Sequence, residues 1–203
     1  MILPLIFFLI LGTAVGSFLN VVAYRSIHSG SVFSGRSYCP HCKHKLKAAD
    51  LVPIVSYLFL KGKCRYCSKE ISLQYPAVEL VTGLAFSFIF FHWWQGLIGV
   101  MYHVSGVTFL DYLALIYLLF VVSALIVLTT TDIVDGLLPN TIIVPSVAFA
   151  GLYKLFLLLI GVSNLPTLSA DLISALLASL VFFAIVNDGK LFGILAIDQA
   201  LLQ

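Results

Sequence analysis

Two groups of residues in this 203-residue chain have the types and spacing to do chemistry: four cysteines in two Cys-x-x-Cys pairs, and several aspartates at the edges of apolar runs. Cys39-Pro40-His41-Cys42 and Cys64-Arg65-Tyr66-Cys67 bracket a 21-residue interval, just above the usual spacing of a four-cysteine zinc site. Four thiolates suit tetrahedral zinc; two disulfides or four free thiols are the alternatives, and a reducing cytoplasmic side disfavours disulfides. With all four positions filled the metal keeps no open site, so its role is to hold a small loop together and not to catalyse. His41 and His44 are further possible ligands, but they read as solvated loop residues.

The acidic candidates fall in two patches. Asp132-Ile133-Val134-Asp135-Gly136-Leu137-Leu138-Pro139-Asn140 follows an apolar run ending Leu128-Thr129-Thr130-Thr131. An acid at the edge of a membrane span faces a partner or a wet cavity. The plainer alternative is a solvated turn built by Gly136 and Pro139, with Asn140 capping the next helix. The second patch is Asn187-Asp188-Gly189-Lys190-Leu191-Phe192-Gly193, with Asp198 beyond it in apolar surroundings. It too can be an ordinary turn, but carboxylates brought together from the two patches would share a proton and activate a water. Of the other polar residues inside apolar runs, Glu79 is expected to pair with a basic residue of the cysteine segment or with an Asn such as Asn20. Asp111 is expected at the outer interface, and His92, Trp93 and Trp94 in an aromatic belt.

These residues must be positioned by helices in lipid. The chain is 61% hydrophobic and 10% charged, which excludes an ordinary soluble domain. Residues 2–22 carry no charge over the length needed to cross a hydrocarbon core, and the first basic residue, Arg25, follows that run instead of preceding it, so it reads as a retained span and not a secretory signal. Further spans are expected at 77–100, 110–130, 141–162 and 170–186, and a sixth apolar run starts near Leu191. Nine of the eleven Lys and Arg residues lie between Arg25 and Lys69, which marks that segment as cytoplasmic and the N-terminus as outside. Alternation of the spans then brings the cysteines, Asp132, Asp135, Asp188 and Asp198 to one side of the bilayer. A basic loop beside membrane spans is explained by topology, so no nucleic-acid partner follows. Residues 51–60 are too short to span and read as the apolar core or interfacial face of the insert. No internal repeat stands out. The fold class is an all-α polytopic membrane protein of about five to six transmembrane helices with a small zinc-knuckle cytoplasmic insert.

The ordered set Gly16-Ser17-Phe18-Leu19-Asn20-Val21-Val22-Ala23-Tyr24-Arg25, the two cysteine pairs, and Tyr75-Pro76-Ala77-Val78-Glu79-Leu80 resembles the N-terminal half of type IV prepilin peptidases. Asp132 with Leu137-Leu138-Pro139-Asn140 is similar to the family's first aspartate motif. The resemblance implies a multi-pass aspartic endopeptidase of the bacterial inner membrane that removes the basic leader of prepilins or pseudopilins on the cytoplasmic side. Many members also N-methylate the new N-terminus with S-adenosylmethionine. It implies three segments: a first transmembrane helix at 1–24, a zinc-binding cytoplasmic insert at 25–76, and an aspartic peptidase membrane domain at 77–203 that ends earlier than family members do. Asp132 is one catalytic residue on this reading. For the second, Asp188-Gly189-Lys190-Leu191 reproduces Asp-x-Lys-Leu, but Ile185, Val186 and Asn187 stand where the family has Gly-x-Gly, and Asp198 is the rival. The expected partners are prepilin leaders and membrane lipids, the insert's basic surface favouring anionic headgroups. Two other classes remain open. One is a catalytically inactive or truncated scaffold that binds pilin-assembly partners; the other is a small transporter with a carboxylate proton relay, against which both acidic patches lie near a membrane edge.

Overall fold

The computed structural model describes residues 2–28, 37–39, 41–95 and 109–162. The expected span at 170–186, the run from Leu191, Asp188 and Asp198 lie outside the described residues. Among the described residues five α-helices follow one another: α1 (Ile2–His28), α2 (Val55–Phe59), α3 (Gln74–Trp94), α4 (Phe109–Asp135) and α5 (Asn140–Leu159). No β-strand occurs among the described residues, only single antiparallel bridges within the cysteine insert. The chain divides into two compact units, Met1–Ala150 and Gly151–Gln203. The first contains everything that follows; the described part of the second is the last turns of α5 and the turn at Gly161 that ends them.

α1, α3, α4 and α5 are each long and apolar enough to cross a bilayer, so the described part is an all-α membrane protein. Two helices overrun the apolar runs expected of them: α1 continues past Val22 through Arg25 to His28, and α4 carries Asp132 and Asp135 inside its last turn. Pro76 falls in the first turn of α3, where a missing N–H costs nothing. α4 stops where Gly136 takes a left-handed φ of 63° and its N–H closes on the Asp132 carbonyl at 2.9 Å, an ending that a side chain at that position would resist. α5 begins at Asn140 itself, which is helical instead of capping from outside.

α1 and α3 form an antiparallel pair in very close contact. A Cβ added at Gly12 would lie 2.7 Å from the Gly83 Cα, and one at Gly16 would lie 2.8 Å from the Glu79 Cα. In lipid no hydrophobic drive separates helix from solvent, so backbone approach of this kind is what holds spans together. α4 closes the group with ordinary side-chain packing. Val127 meets Leu19, Val22 and Ala23 at the end that carries the insert, and Leu115 meets Ile89, Phe90 and Trp93 at the far end.

That far end departs from the sequence expectation. Trp93 is buried, and its Nε1–H donates to the Asp111 carbonyl at 2.9 Å, tying the end of α3 to the start of α4; only Trp94 stays exposed as a belt residue would. Asp111 is fully enclosed by protein in the first turn of α4 instead of facing an interface.

Candidate metal centre and the acidic end of the helices

The four cysteine sulfurs converge. One Sγ from each of Cys39, Cys42, Cys64 and Cys67 lies within 4.8 Å of all the others, and Cys39 Sγ sits 3.9 Å from Cys67 Sγ. Zinc–thiolate bonds of about 2.3 Å in a tetrahedron place the sulfurs about 3.8 Å apart, so the cluster fits zinc with a small contraction. All four are free cysteines in the structure. The Lys69 backbone N–H favours the Cys67 thiolate, yet desolvation and the neighbouring thiols of Cys64, Cys42 and Cys39 outweigh it and push Cys67 up to about 11. A divalent cation reverses that balance by stabilising every thiolate at once.

Each Cys-x-x-Cys is a tight turn of the same construction. Lys43 N donates to Cys39 O at 2.9 Å and Cys39 N to His44 O at 3.0 Å; Ser68 N donates to Cys64 O at 2.9 Å and Cys64 N to Lys69 O at 2.8 Å. The residue after each second cysteine is left-handed, Lys43 at φ 56° and Ser68 at φ 58°, and each turn is closed by one bridge, Tyr38 with Lys45 and Lys63 with Glu70. The insert is therefore a duplicated knuckle, contrary to the expectation of no repeat. Its only sequence signal is the cysteine spacing itself, because the left-handed position is Lys in one copy and Ser in the other. Backbone N–H groups turned toward the sulfurs are what knuckle turns supply to thiolates.

Side chains lock the two knuckles together. His44 stacks on Tyr66 with ring centroids 3.7 Å apart, which accounts for it without metal ligation. The Asp50 carboxylate accepts from Arg65 Nε at 2.6 Å, from the Tyr66 hydroxyl at 3.0 Å and from the Lys47 N–H at 3.0 Å. Desolvation works against its ionisation, but these donors prevail and hold the carboxyl below its usual range.

Two buried polar residues tie the helices to one another and to the insert. Asn20, 2% exposed, donates from Nδ2 to Tyr75 O at 3.1 Å and Gly16 O at 3.3 Å, crossing from α1 to α3. Glu79, 8% exposed on α3, accepts the Ile54 N–H at 2.7 Å. This corrects the sequence reading, which paired Glu79 with a basic residue or with Asn20. The reason is a local one: Pro53-Ile54-Val55 makes a three-residue turn with Ile54 at φ 61°, ψ −48°, which aims the Ile54 N–H at the helix. A β-branched residue there is strained by about 1–3 kcal/mol, and the carboxylate contact offsets it. Between α1, the insert and the first turns of α3 lies a cavity of about 680 Å³ that Asn20 and Glu79 both line.

The acidic end of α4 lies beside the end of α1. His28 Nε2 is 4.0 Å from Asp135 Oδ1, and the His28 ring stacks on Tyr24 at 4.6 Å. The last turn of α1, which leads into the insert, and the last turn of α4 therefore stand at the same end of the helices, as alternation of the spans requires. Asp132 is exposed there.

Residues 10–93 match the bacterial peptidase A24 N-terminal domain. The chain is 32% identical over 196 residues to a prepilin leader peptidase/N-methyltransferase of Bacillus subtilis (strain 168), covering 92% of this chain and 70% of that protein. It is 47% identical over 81 residues to the protein of that name in Myxococcus xanthus (strain DK1622), 40% of this chain and 24% of the relative, and 31% identical over 163 residues to the one in Stutzerimonas stutzeri, 68% and 50%. The chain thus spans half or less of the latter two relatives. No solved structure matches it. Because the Bacillus similarity runs through the cysteine insert and α4 alike, the chain belongs to the prepilin leader peptidase/N-methyltransferase family.

Proposed function

We propose that the protein is a membrane aspartic endopeptidase that removes the leader of type IV prepilins or pseudopilins at the cytoplasmic face of the bacterial inner membrane, with N-methylation of the new N-terminus as a second activity. The observation that carries this reading is Asp132: an exposed carboxylate in the last turn of a spanning helix, at the end where the basic insert begins. A carboxylate kept at a membrane edge is costly unless it has a task or a partner.

In the proposed reaction Asp132 and a second aspartate hold one water. The ionised member removes its proton as it attacks the scissile carbonyl, and the protonated member donates to the carbonyl oxygen. Asp188, in Asp-x-Lys-Leu, is the proposed second carboxylate and Asp198 its rival. Asp135, engaged with His28 three residues further along α4, is placed to attract the basic leader. Zinc would be held by Cys39, Cys42, Cys64 and Cys67, where it supplies folding of the insert and leaves cleavage to the aspartates.

The test is co-expression with a type IV prepilin, following leader removal by gel mobility in the wild type and in Asp132→Asn, Asp188→Asn and Asp198→Asn. Loss with Asp132→Asn and with one other variant names the pair. The Ile185-Val186-Asn187 departure from Gly-x-Gly motivates a second reading, an inactive scaffold for pilin assembly, and absence of processing by the wild type would favour it.

A further inference from the structure

The short helix α2 turns its more apolar face outward. Ser56, Tyr57 and Leu60 lie on one side of this turn and line the cavity between α1, the insert and α3. Val55, Leu58 and Phe59 share the opposite side, at spacings of three and four residues, and all three are exposed, Phe59 at 84%. Leu51 and Val52 are exposed on the approach to α2, and Leu73 on the return to α3. Isolated surface hydrophobics are ordinary, but apolar side chains grouped on one face mark a surface that meets something other than water.

The Glu79 contact fixes where this face stands. Glu79 lies on the second turn of the spanning helix α3, about 7.5 Å along the axis from Gln74. Its carboxylate holds the N–H of Ile54, the residue immediately before α2. α2 therefore starts level with the first turns of a membrane span, where the surroundings outside the protein are headgroups and upper acyl chains instead of bulk water. Lys61 and Lys63 follow α2 closely, and both are exposed. An apolar face edged by lysines complements an anionic lipid surface: rings and methyl groups enter the acyl boundary while ammonium groups stay with the phosphates.

We propose that the outer face of α2 is a membrane-docking surface. Val55, Leu58 and Phe59 sit in the headgroup–acyl boundary of the bilayer that the helices span, and Lys61 and Lys63 engage the phosphates of anionic lipids. The inference goes beyond the peptidase reading and does not depend on it. The insert is then held from three directions, by its four sulfurs, by Glu79 and by lipid, and the bilayer supplies the apolar surroundings that the insert lacks inside.

The test is Phe59→Trp in the full chain with zinc, in nanodiscs of phosphatidylethanolamine and phosphatidylglycerol, with the wild-type signal of Trp93 and Trp94 recorded in the same discs and subtracted. Lipids brominated in the upper acyl chain should quench the added fluorescence at least about twofold, and aqueous acrylamide should quench it at least about threefold less than free tryptophan. Leu58→Trp reads the same face from a second position and should behave alike; wild-type zinc content and circular dichroism identify a folded variant. Exchange of phosphatidylglycerol for phosphatidylcholine, or Lys61→Gln combined with Lys63→Gln, should cut the bromine quenching of Phe59→Trp by about half. Full acrylamide quenching without a bromine effect would mean that the face meets water and would overturn the proposal. Protection from both quenchers would also overturn it, since protein, either a partner or a second copy of the chain, would then cover the face. Bromine quenching that ignores both lipid charge and the two lysines would overturn the assignment to anionic lipid.

Discussion

The cysteine insert and the helix pair it joins are held together by opposite means. The insert has little apolar interior: α2 leaves Leu58 at 67% and Phe59 at 84% exposure, so its order depends on four sulfurs, one carboxylate and two stacked rings. α1 and α3 depend on the absence of side chains, with Gly12, Gly16 and Gly83 letting backbones touch. One region is therefore sensitive to metal and protons, and the other to a single added carbon atom.

The largest effect expected from this contrast comes from metal removal. Apparent zinc affinities of about 10–16 kcal/mol in four-ligand sites equal or exceed the stability of a typical domain. Cys64→Ser or strong chelation should take zinc from one ion per chain to none and open the insert to proteolysis between Ser37 and Leu73, while helical circular dichroism of the spans persists. Continued protection of the insert without metal would remove the proposed role of the cluster. At the acidic end, Asp132→Asn should lower leader cleavage by a factor of at least about 10² while leaving zinc content alone; processing at the wild-type rate would transfer the chemistry elsewhere.

Smaller effects divide the two regions again. Gly83→Val should destabilise the spans by about 1–3 kcal/mol in detergent unfolding, because its Cβ would begin 2.7 Å from the Thr13 methyl group and 3.0 Å from the Leu9 carbonyl. Zinc binding should survive that change, and a parallel loss of both would show that the regions are not independent. The smallest effect is a pH dependence. The folded pKa of Asp50 lies below its ordinary value of 3.8, so its ionised form stabilises the insert above that value, and the contribution is lost as pH falls through the folded pKa. Asp50→Asn should lower insert stability at neutral pH, with the difference from wild type narrowing below about pH 4. A constant difference would assign Asp50 a purely steric role.

Much of the molecule is legible in the sequence alone. Long apolar runs located α1, α3, α4 and α5, because lipid permits little else for such segments. Cysteine spacing located the four-sulfur cluster, because tetrahedral geometry restricts where four metal-binding sulfurs can sit. What escaped was decided by backbone geometry. Glu79 finds a main-chain N–H only because Ile54 takes a left-handed turn, which no residue pattern announces. The second knuckle copies the first in hydrogen bonds while sharing almost no side chains, so identity along the chain does not reveal it. Trp93 looked like an interfacial residue because its neighbours are aromatic, yet a single acceptor on α4 draws it inside. The Asp132 end was placed correctly relative to the helices, whereas its proposed partners Asp188 and Asp198 lie outside the described residues.

The contact between α1 and α3 has a mechanical consequence. Gly12 faces Gly83, Gly16 faces Glu79 and Asn20 faces Tyr75, so four residues forward on one helix are four residues back on the other. A slide of one turn that brought Phe8 opposite Gly83 would drive a ring into a gap that fits only hydrogen. The two helices thus act as one stiff post, whereas α4 meets them only through side-chain packing on Leu19, Val22 and Ala23.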